Sequence, residues 1–315
     1  LSSTRLDSPL EYRCMYTKFF SLEDKPFSLI PDGDAVFLSP GHTAAFSMLE
    51  FGLLEQVGIT VITGEVGSGK TTLVRHLLSR IDYNQLTVGL IGTAHSSYGT
   101  LLKWIITAFR IPIESNDESA LLQSVQQFLV DQYASGKRTV VIVDEAQNMS
   151  MQDLESLRLL TNINADKNQL LQIILVGQPE LLQKFFEPGM SQLAQRVSAE
   201  YNLSPLSLSD TLGYVRHRIE SVGGQRDLFD LSSLLAVYYF SGGLPRIINT
   251  LCDGALVVAY GKSIATVNLP ILLEVVSSKR IGGIHRTGID NPEREAVRDT
   301  VLKMNDVDLH SMVQR

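Results

Sequence analysis

Short apolar runs alternate with helical patterns through the first two thirds of the chain. Runs such as Thr139–Val143 (TVVIV) are rich in β-branched residues and have the length of a strand, which predicts buried strands. Further strands are predicted at residues 59–63, 86–91, 171–176 and 200–203. Apolar residues at helical spacing predict helices at 42–55, 71–79, 101–109, 121–133, 154–161 and 180–186. This alternation predicts an α/β fold with a mainly parallel sheet covered by helices on both faces.

The strand signals end near residue 204, and only helical patterns follow. They predict helices at 209–221, 231–240, 244–259 and 269–278. Ser209 is predicted to cap the first of these, and Pro245 suits a first helical turn. The chain is therefore predicted to comprise an arm (1–14), an α/β domain (15–204), a small all-helical domain (205–279) and a polar tail (280–315).

Composition narrows the class of protein. The 315 residues are 44% hydrophobic and 19% charged, which excludes a disordered, collagen-like or coiled-coil architecture. The net charge of −7 excludes a basic field over the whole chain for nucleic acid, although a local basic patch stays open.

Cysteine and apolar content indicate the compartment. Two cysteines, Cys14 and Cys252, cannot form a disulfide framework, which favours free thiols in a reducing cytoplasm. No apolar stretch reaches the ~18 residues of a membrane helix, and no signal peptide is evident. We expect a cytoplasmic protein without direct membrane insertion, whose contact with the inner membrane would come through a partner.

One motif gives the strongest indication of chemical function. The sequence GEVGSGKT, from Gly64 to Thr71, matches the phosphate-binding pattern G-x-x-x-x-G-K-[ST] between a predicted strand and a predicted helix. Glycines let successive N–H groups face one anion, and the helix that follows adds its positive end. Lys70 is expected to reach the β- and γ-phosphates of ATP, and Thr71 to ligate Mg²⁺. The predicted nucleotide-binding residues here are Gly64, Glu65, Val66, Gly67, Ser68, Gly69, Lys70, Thr71 and Thr72.

Polar residues follow two later strands. VVIVDEAQ delivers Asp144 and Glu145 to the carboxyl edge of the sheet, where ligands of open α/β sheets bind. Asp144 is predicted to hold Mg²⁺, and Glu145 to accept a proton from the attacking water. Gln178, in ILVGQPEL, would stand beside Asp144 and orient that water or contact the γ-phosphate. The alternative for Gln178 is a turn residue before Pro179.

Two arginines are further candidates. Arg196 precedes the last predicted strand, and Arg246 begins a helix of the helical domain. Arginine stabilises phosphoryl charge with a fixed fork of donors. The alternative for each is a surface residue in an ion pair.

Together these blocks resemble the AAA+ ATPases. Within them the chain is similar to the ExeA/GspA-type ATPases of the general secretion pathway and to the related TniB/TnsC-type transposition regulators, over roughly residues 15–279. The resemblance implies a P-loop domain with a five-stranded parallel sheet sandwiched by helices, followed by a helical lid.

The resemblance also implies roles for residues. Gln178 would be sensor 1, Arg246 would be sensor 2, and Arg196 would reach into the neighbouring subunit's site. In KPFSLIPD, Phe27 and Leu29 would flank the adenine. A homo-oligomer, either a ring or a filament, would bind and hydrolyse ATP with Mg²⁺ at its subunit interfaces.

Three functional classes stay open. The first is an ATPase that drives assembly or remodelling in a secretion, export or cell-envelope system, with a membrane-associated partner. The second is a transposition or target-selection regulator that acts with double-stranded DNA or a transposase. The third is a nucleotide-binding scaffold with negligible turnover.

Overall fold

The computed structural model describes residues 15–28, 36–92, 99–113, 115–165, 168–279 and 291–312. Contacts between Cα atoms divide them into two compact units. The α/β unit lies within Pro31–Leu206, and the helical unit combines residues up to Ile30 with Ser207–Arg315. Each unit is built around apolar side chains of its own elements.

A parallel sheet forms the centre of the α/β unit. Its strands and those of a short hairpin (β4 with β5) are β1 Ile59–Gly64, β2 Leu86–Ile91, β3 Arg138–Val143, β4 Asn164–Ala165, β5 Asn168–Gln169, β6 Leu171–Gly177 and β7 Val197–Leu203. The five-stranded sheet has the order β2-β3-β6-β1-β7, and all its pairs are parallel. The predicted five-stranded parallel sheet is therefore confirmed.

Helices cover both faces of this sheet. They are α2 Pro40–Leu54, α3 Lys70–Arg80, α4 Leu101–Phe109, α5 Glu118–Ala134, α6 Met151–Leu160, α7 Glu180–Phe185 and α8 Ser191–Ala194. Alternate residues of β3 enter different cores: Val141 and Val143 pack with α4–α8, whereas Val140 and Ile142 pack with α2 and α3. A strand that is buried on both faces reads as a continuous apolar run, which is why the sequence pattern predicts it well.

The helical unit contains α1 Met15–Phe19, α9 Leu208–Glu220, α10 Leu231–Ser241, α11 Pro245–Gly261, α12 Leu269–Ser278 and α13 Pro292–Asn305. Pro245 lies in the first turn of α11, as expected. The cap of α9 differs from the prediction: Ser207 rather than Ser209 caps this helix, because the Ser207 hydroxyl accepts from the Asp210 N–H at 3.1 Å.

The units differ from the predicted domains at both ends of the chain. Residues 15–28 belong to the helical unit rather than to the α/β domain, held there by bonds such as Arg218 Nε to the Pro26 carbonyl at 2.6 Å. The stretch predicted as a polar tail contains α13, which packs against α10. Arg294 lies 4.8 Å from the Tyr239 ring centre, and Val297 and Val301 are buried. The predicted arm, residues 1–14, lies outside the described residues.

Among the described residues, the helices are too short or too polar to span a bilayer.

Candidate nucleotide-binding site

The glycine-rich motif forms a tight loop between β1 and α3. Gly67 and Gly69 have φ angles of +81° and +105°, in the left-handed region that favours glycine. A Cβ on Gly64 would lie 2.7 Å from the Leu203 carbonyl oxygen. The backbone can therefore curl ahead of the α3 N-terminus, where N–H groups and the helix dipole attract an anion. The other predicted residues of the motif lie in this loop or in the first turn of α3: Glu65, Val66, Ser68, Lys70, Thr71 and Thr72.

Lys70 is the cation of the loop. Its Nζ donates to the carbonyl oxygens of Gly64 at 2.7 Å and Glu65 at 2.8 Å. Burial lowers the pKa of this amine, while the negative charges of Glu145 and Asp144 act against that shift. The ammonium is thus held by the loop at the place where phosphates are expected.

Thr71 and Asp144 meet at one point. The Thr71 hydroxyl donates to Asp144 Oδ2 at 2.8 Å, and the Glu145 N–H donates to Asp144 Oδ1 at 2.9 Å. Asp144 directly follows β3 and is buried. Hydroxyl and carboxylate oxygens are the ligands that Mg²⁺ prefers, so the donor set fits this cation.

Glu145 belongs to a small hydrogen-bonded ring with two glutamines. Gln147 Nε2 donates to Glu145 Oε2 at 2.6 Å, and Gln147 Oε1 accepts from the Gln178 N–H at 3.0 Å. Gln178 Nε2 reaches the same Glu145 oxygen at 3.5 Å. The structure therefore brings Gln178 to Glu145, while the sequence reasoning missed Gln147. Its position two residues after Glu145, in DEAQ, was the available signal.

His42 was also missed. It is buried in the first turn of α2, where its Nδ1 lies 2.8 Å from Ser39 Oγ and its Nε2 lies 3.0 Å from the Ser68 carbonyl oxygen. Because a carbonyl only accepts, Nε2 carries the proton. A Cβ on Gly69 would lie 2.7 Å from this nitrogen. The imidazole therefore supports the phosphate-binding loop from behind, a role that the sequence could not indicate because His42 lies 26 residues before Ser68.

Arg196 lies at the other end of the sheet. Its guanidinium donates to Thr161 Oγ1 at 2.7 Å and also to Asn162 Oδ1. Since Val197 pairs with Ile59 while Leu203 pairs with Gly64, roughly 20 Å of strand separates Arg196 from the phosphate-binding loop. Arg196 borders an open cavity of about 720 Å³ that is lined by Gly58, Gln169, Gln192, Gln195, Arg196 and Ser198.

The remaining candidates belong to the helical unit or lie outside the described residues. Arg246 is exposed in the first turn of α11, and its role toward a nucleotide stays a prediction. Phe27 is buried in the core of the helical unit, with its ring centre 6.0 Å from that of Phe229. A ring packed in this way has a structural role there, and its contact with adenine stays a prediction. Leu29 lies outside the described residues.

Comparison with known proteins assigns the fold to a family. Residues 54–185 match the family model of an AAA domain. The chain is 40% identical over 249 residues to General secretion pathway protein A of Aeromonas hydrophila. The chain therefore contains an AAA domain with the P-loop fold. The match covers 79% of the chain but 45% of the relative, so the chain spans less than half the length of that protein.

Solved structures of other proteins share the architecture. The Drosophila ORC bound to DNA matches with a TM-score of 0.63 at 12% identity, covering 100% of this chain and 81% of that one. The Aeropyrum pernix ORC2 protein, solved as ADPNP-ADP complexes, matches with a TM-score of 0.58 at 17% identity, covering 92% and 88%. At these identities the likeness establishes the fold: a P-loop sheet with helices and a helical C-terminal part.

Proposed function

We propose that this chain is an ATPase that binds and hydrolyses Mg²⁺-ATP at the interfaces of a homo-oligomer, and that it drives assembly or remodelling in a secretion, export or cell-envelope system. One observation carries the proposal. The loop that holds Lys70, the Thr71–Asp144 pair and the Glu145–Gln178 contact all lie at the carboxyl edge of one sheet. An anion site, a cation ligand pair and a general base are the parts that phosphoryl transfer to water requires.

Each residue has a distinct task in this mechanism. The loop N–H groups and Lys70 hold the β- and γ-phosphates, with the helix dipole behind them. Thr71 and Asp144 would hold Mg²⁺, whose charge offsets the negative charge of the phosphates. Glu145 takes a proton from the attacking water, whose oxygen bonds to the γ-phosphorus as the bond to the β–γ bridging oxygen breaks. The products are ADP and inorganic phosphate.

Arg196 is proposed to act on a neighbouring subunit. About 20 Å of strand prevents it from reaching the loop of its own chain. Arg196 instead borders an open, mostly polar surface recess, which is accessible to another copy of the chain. An arginine supplied from outside offsets charge in the transition state, so hydrolysis would depend on assembly.

Arg246, in the first turn of α11, is proposed as the residue that senses the γ-phosphate. The client is proposed from the relationship to General secretion pathway protein A, at 40% identity over 79% of this chain. A membrane-associated export partner is the corresponding proposal, with the chain at the inner membrane through that partner.

The decisive experiment compares Glu145→Gln with the wild type. We expect Glu145→Gln to bind a fluorescent ATP analogue as tightly as the wild type while turnover falls about 10²–10⁴-fold. Glu155→Gln is the matched control, because Glu155 is a partly exposed carboxylate on α6 that pairs with Arg158. Equal turnover of Glu145→Gln and the wild type at high protein concentration would contradict the proposal.

Two further outcomes would support a different function. Tight ATP binding by the wild type with no turnover under any condition would identify a scaffold instead. In a second experiment, the ATPase rate is measured with and without double-stranded DNA at two salt concentrations. Stimulation of the ATPase that weakens with salt would identify a DNA-associated regulator, because contacts with phosphates are sensitive to ionic strength.

A further inference from the structure

The turn after β3 gives Glu145 an unusual backbone. Glu145 has a φ angle of +53°, in the left-handed region that residues with a side chain rarely adopt. A 3₁₀ turn, Ala146–Asn148, follows at once. This reversal of the chain carries Gln147 back toward the Glu145 carboxylate. Strain of this kind persists only where the surroundings hold it, and it is concentrated at functional sites.

The Gln147 amide uses both of its ends in this turn. Its NH₂ group donates to Glu145 Oε2 at 2.6 Å, and its oxygen accepts from the backbone N–H of Gln178 at 3.0 Å. Gly177 permits the approach, because a Cβ there would lie 3.0 Å from Gln147 Oε1. One side chain thus joins the end of β3 to the end of β6.

Lys184 holds the same turn from α7. Its Nζ donates to the Gln147 carbonyl oxygen at 2.6 Å and also to the Met149 carbonyl oxygen. These bonds satisfy two carbonyl groups of the turn and restrain the backbone that carries Gln147. The geometry of the Gln147 amide is therefore set by two neighbouring elements, β6 and α7.

We propose that Gln147 is the positioning residue of this site, which fixes the Glu145 carboxylate for proton abstraction and couples its orientation to Gln178. The inference rests on the proposed function, since it assigns Gln147 to the general base of ATP hydrolysis. A base acts efficiently only when a third group orients it, as in other sites that pair a base with its orienting partner. Gln147 has no contact with the nucleotide in this assignment and acts through Glu145.

The first test is Gln147→Met, which keeps the length of the side chain and removes both hydrogen bonds. We expect kcat to fall about 10–100-fold, the loss typical of a misplaced catalytic group, while the KM for ATP and the affinity for a fluorescent ATP analogue change less than twofold. Gln152→Met, at an exposed position of α6, is the matched control. Gln147→Glu keeps an acceptor for the Gln178 N–H but places a like charge against Glu145, and we expect it also to lower kcat.

A double-mutant cycle separates positioning from general damage. In a Glu145→Gln background we expect Gln147→Met to cause no further loss of turnover, because the two residues act as one unit. Full additivity of the two losses would overturn the proposal. So would wild-type kcat in Gln147→Met, or a loss confined to nucleotide affinity.

The outcomes also distinguish this inference from the proposed function. If the wild type hydrolyses ATP, Glu145→Gln is inactive and Gln147→Met is fully active, the proposed function stands and the role of Gln147 is overturned. If the assembled wild type shows no turnover, both fall together, because Gln147 would then have no base to position.

Discussion

Thr71 Oγ1 donates a hydrogen bond to Asp144 Oδ2 at 2.8 Å, although the two residues are 73 positions apart in the sequence. Thr71 stands in the first turn of α3, and Asp144 follows the end of β3. The contact joins the phosphate-binding loop to the acidic end of another strand. It places the two predicted Mg²⁺ ligands side by side, which makes their joint role testable.

Removal of the Thr71 hydroxyl should weaken the Mg²⁺ dependence of ATP binding. We expect Thr71→Ala to lose about tenfold or more in the tightening of ATP binding that Mg²⁺ brings, because one oxygen ligand is gone. Thr71→Ser keeps the hydroxyl and should behave as the wild type. Titration with a fluorescent ATP analogue, in Mg²⁺ and in EDTA, measures the difference. Ser79→Ala, at the exposed end of α3, serves as the control, and an unchanged Mg²⁺ response in Thr71→Ala would exclude Thr71 as a ligand.

Loss of the His42 imidazole should destabilise the phosphate-binding loop. His42→Ala leaves the buried Ser68 carbonyl without its side-chain donor, and a buried acceptor without its partner costs about 1–3 kcal/mol. We expect the free energy of unfolding in urea to fall by that amount and nucleotide affinity to fall with it. Thr43→Ala, at the next and exposed position of α2, should stay within ~0.5 kcal/mol of the wild type. Equal stability of His42→Ala and Thr43→Ala would refute the supporting role.

Complementation between inactive subunits tests whether Arg196 acts across an interface. We expect Arg196→Ala to lower turnover about 10³–10⁵-fold, as for other arginines supplied from outside a site. Lys70→Met should be inactive because it lacks the phosphate-binding cation. A mixture of the two should regain activity, since a Lys70→Met subunit lends Arg196 to the intact loop of an Arg196→Ala subunit. No recovery in the mixture, with each variant folded and assembled, would refute the action of Arg196 across an interface.

The free energy of unfolding at alkaline pH should depend on the contact between α10 and α13. The Tyr238 hydroxyl donates to the Glu293 carboxylate, and burial together with that contact raises the pKa of Tyr238. The folded chain therefore binds the phenol proton more tightly than the unfolded chain, so the contribution is complete below about pH 10 and is lost as the pH rises further. Between pH 9 and pH 11 the free energy of unfolding of the wild type should fall, because the unfolded chain releases the phenol proton more readily than the folded chain does. Tyr238→Phe has no phenol proton to release, so its free energy of unfolding should fall less over the same range. Tyr260→Phe, in the same unit, should keep the wild-type profile; if it also lost the dependence, Tyr238 would not be its source.

Local signals explain how much of the fold could be predicted. The strand predicted at residues 86–91 and the helix predicted at 101–109 have those bounds in the structure, because each carries its own apolar pattern and its own end signals. The Ser207 cap and α13 were not predicted, because their local signals are weak. A cap is decided by one hydrogen bond, and the apolar face of α13 is narrow, with Val297 and Val301 buried among polar residues.

At the candidate site, sequence motifs predict individual residues but not the groups that contact them in the folded chain. The phosphate-binding loop and the acidic pair Asp144 and Glu145 could be predicted, because backbone conformation, helix polarity and the end of a strand follow from a few adjacent residues. Gln147 and His42 could not be predicted in this way, because each acts through groups that folding brings to it. For Gln147 these are the Glu145 carboxylate and the Gln178 N–H. For His42 it is the Ser68 carbonyl.

The sequence by itself determined the alternation of strands and helices in the α/β domain and the position of the phosphate-binding motif between a strand and a helix, because these follow from periodicity and from motifs of a few adjacent residues. The tertiary structure alone decided that residues 15–28 join the helical unit, that Arg196 stands at the far end of the sheet from Lys70, and that Gln147 links Glu145 to Gln178. Each of these depends on contacts between segments distant in the chain, which are set by parallel strand pairing and by packing over the whole core rather than by any local pattern.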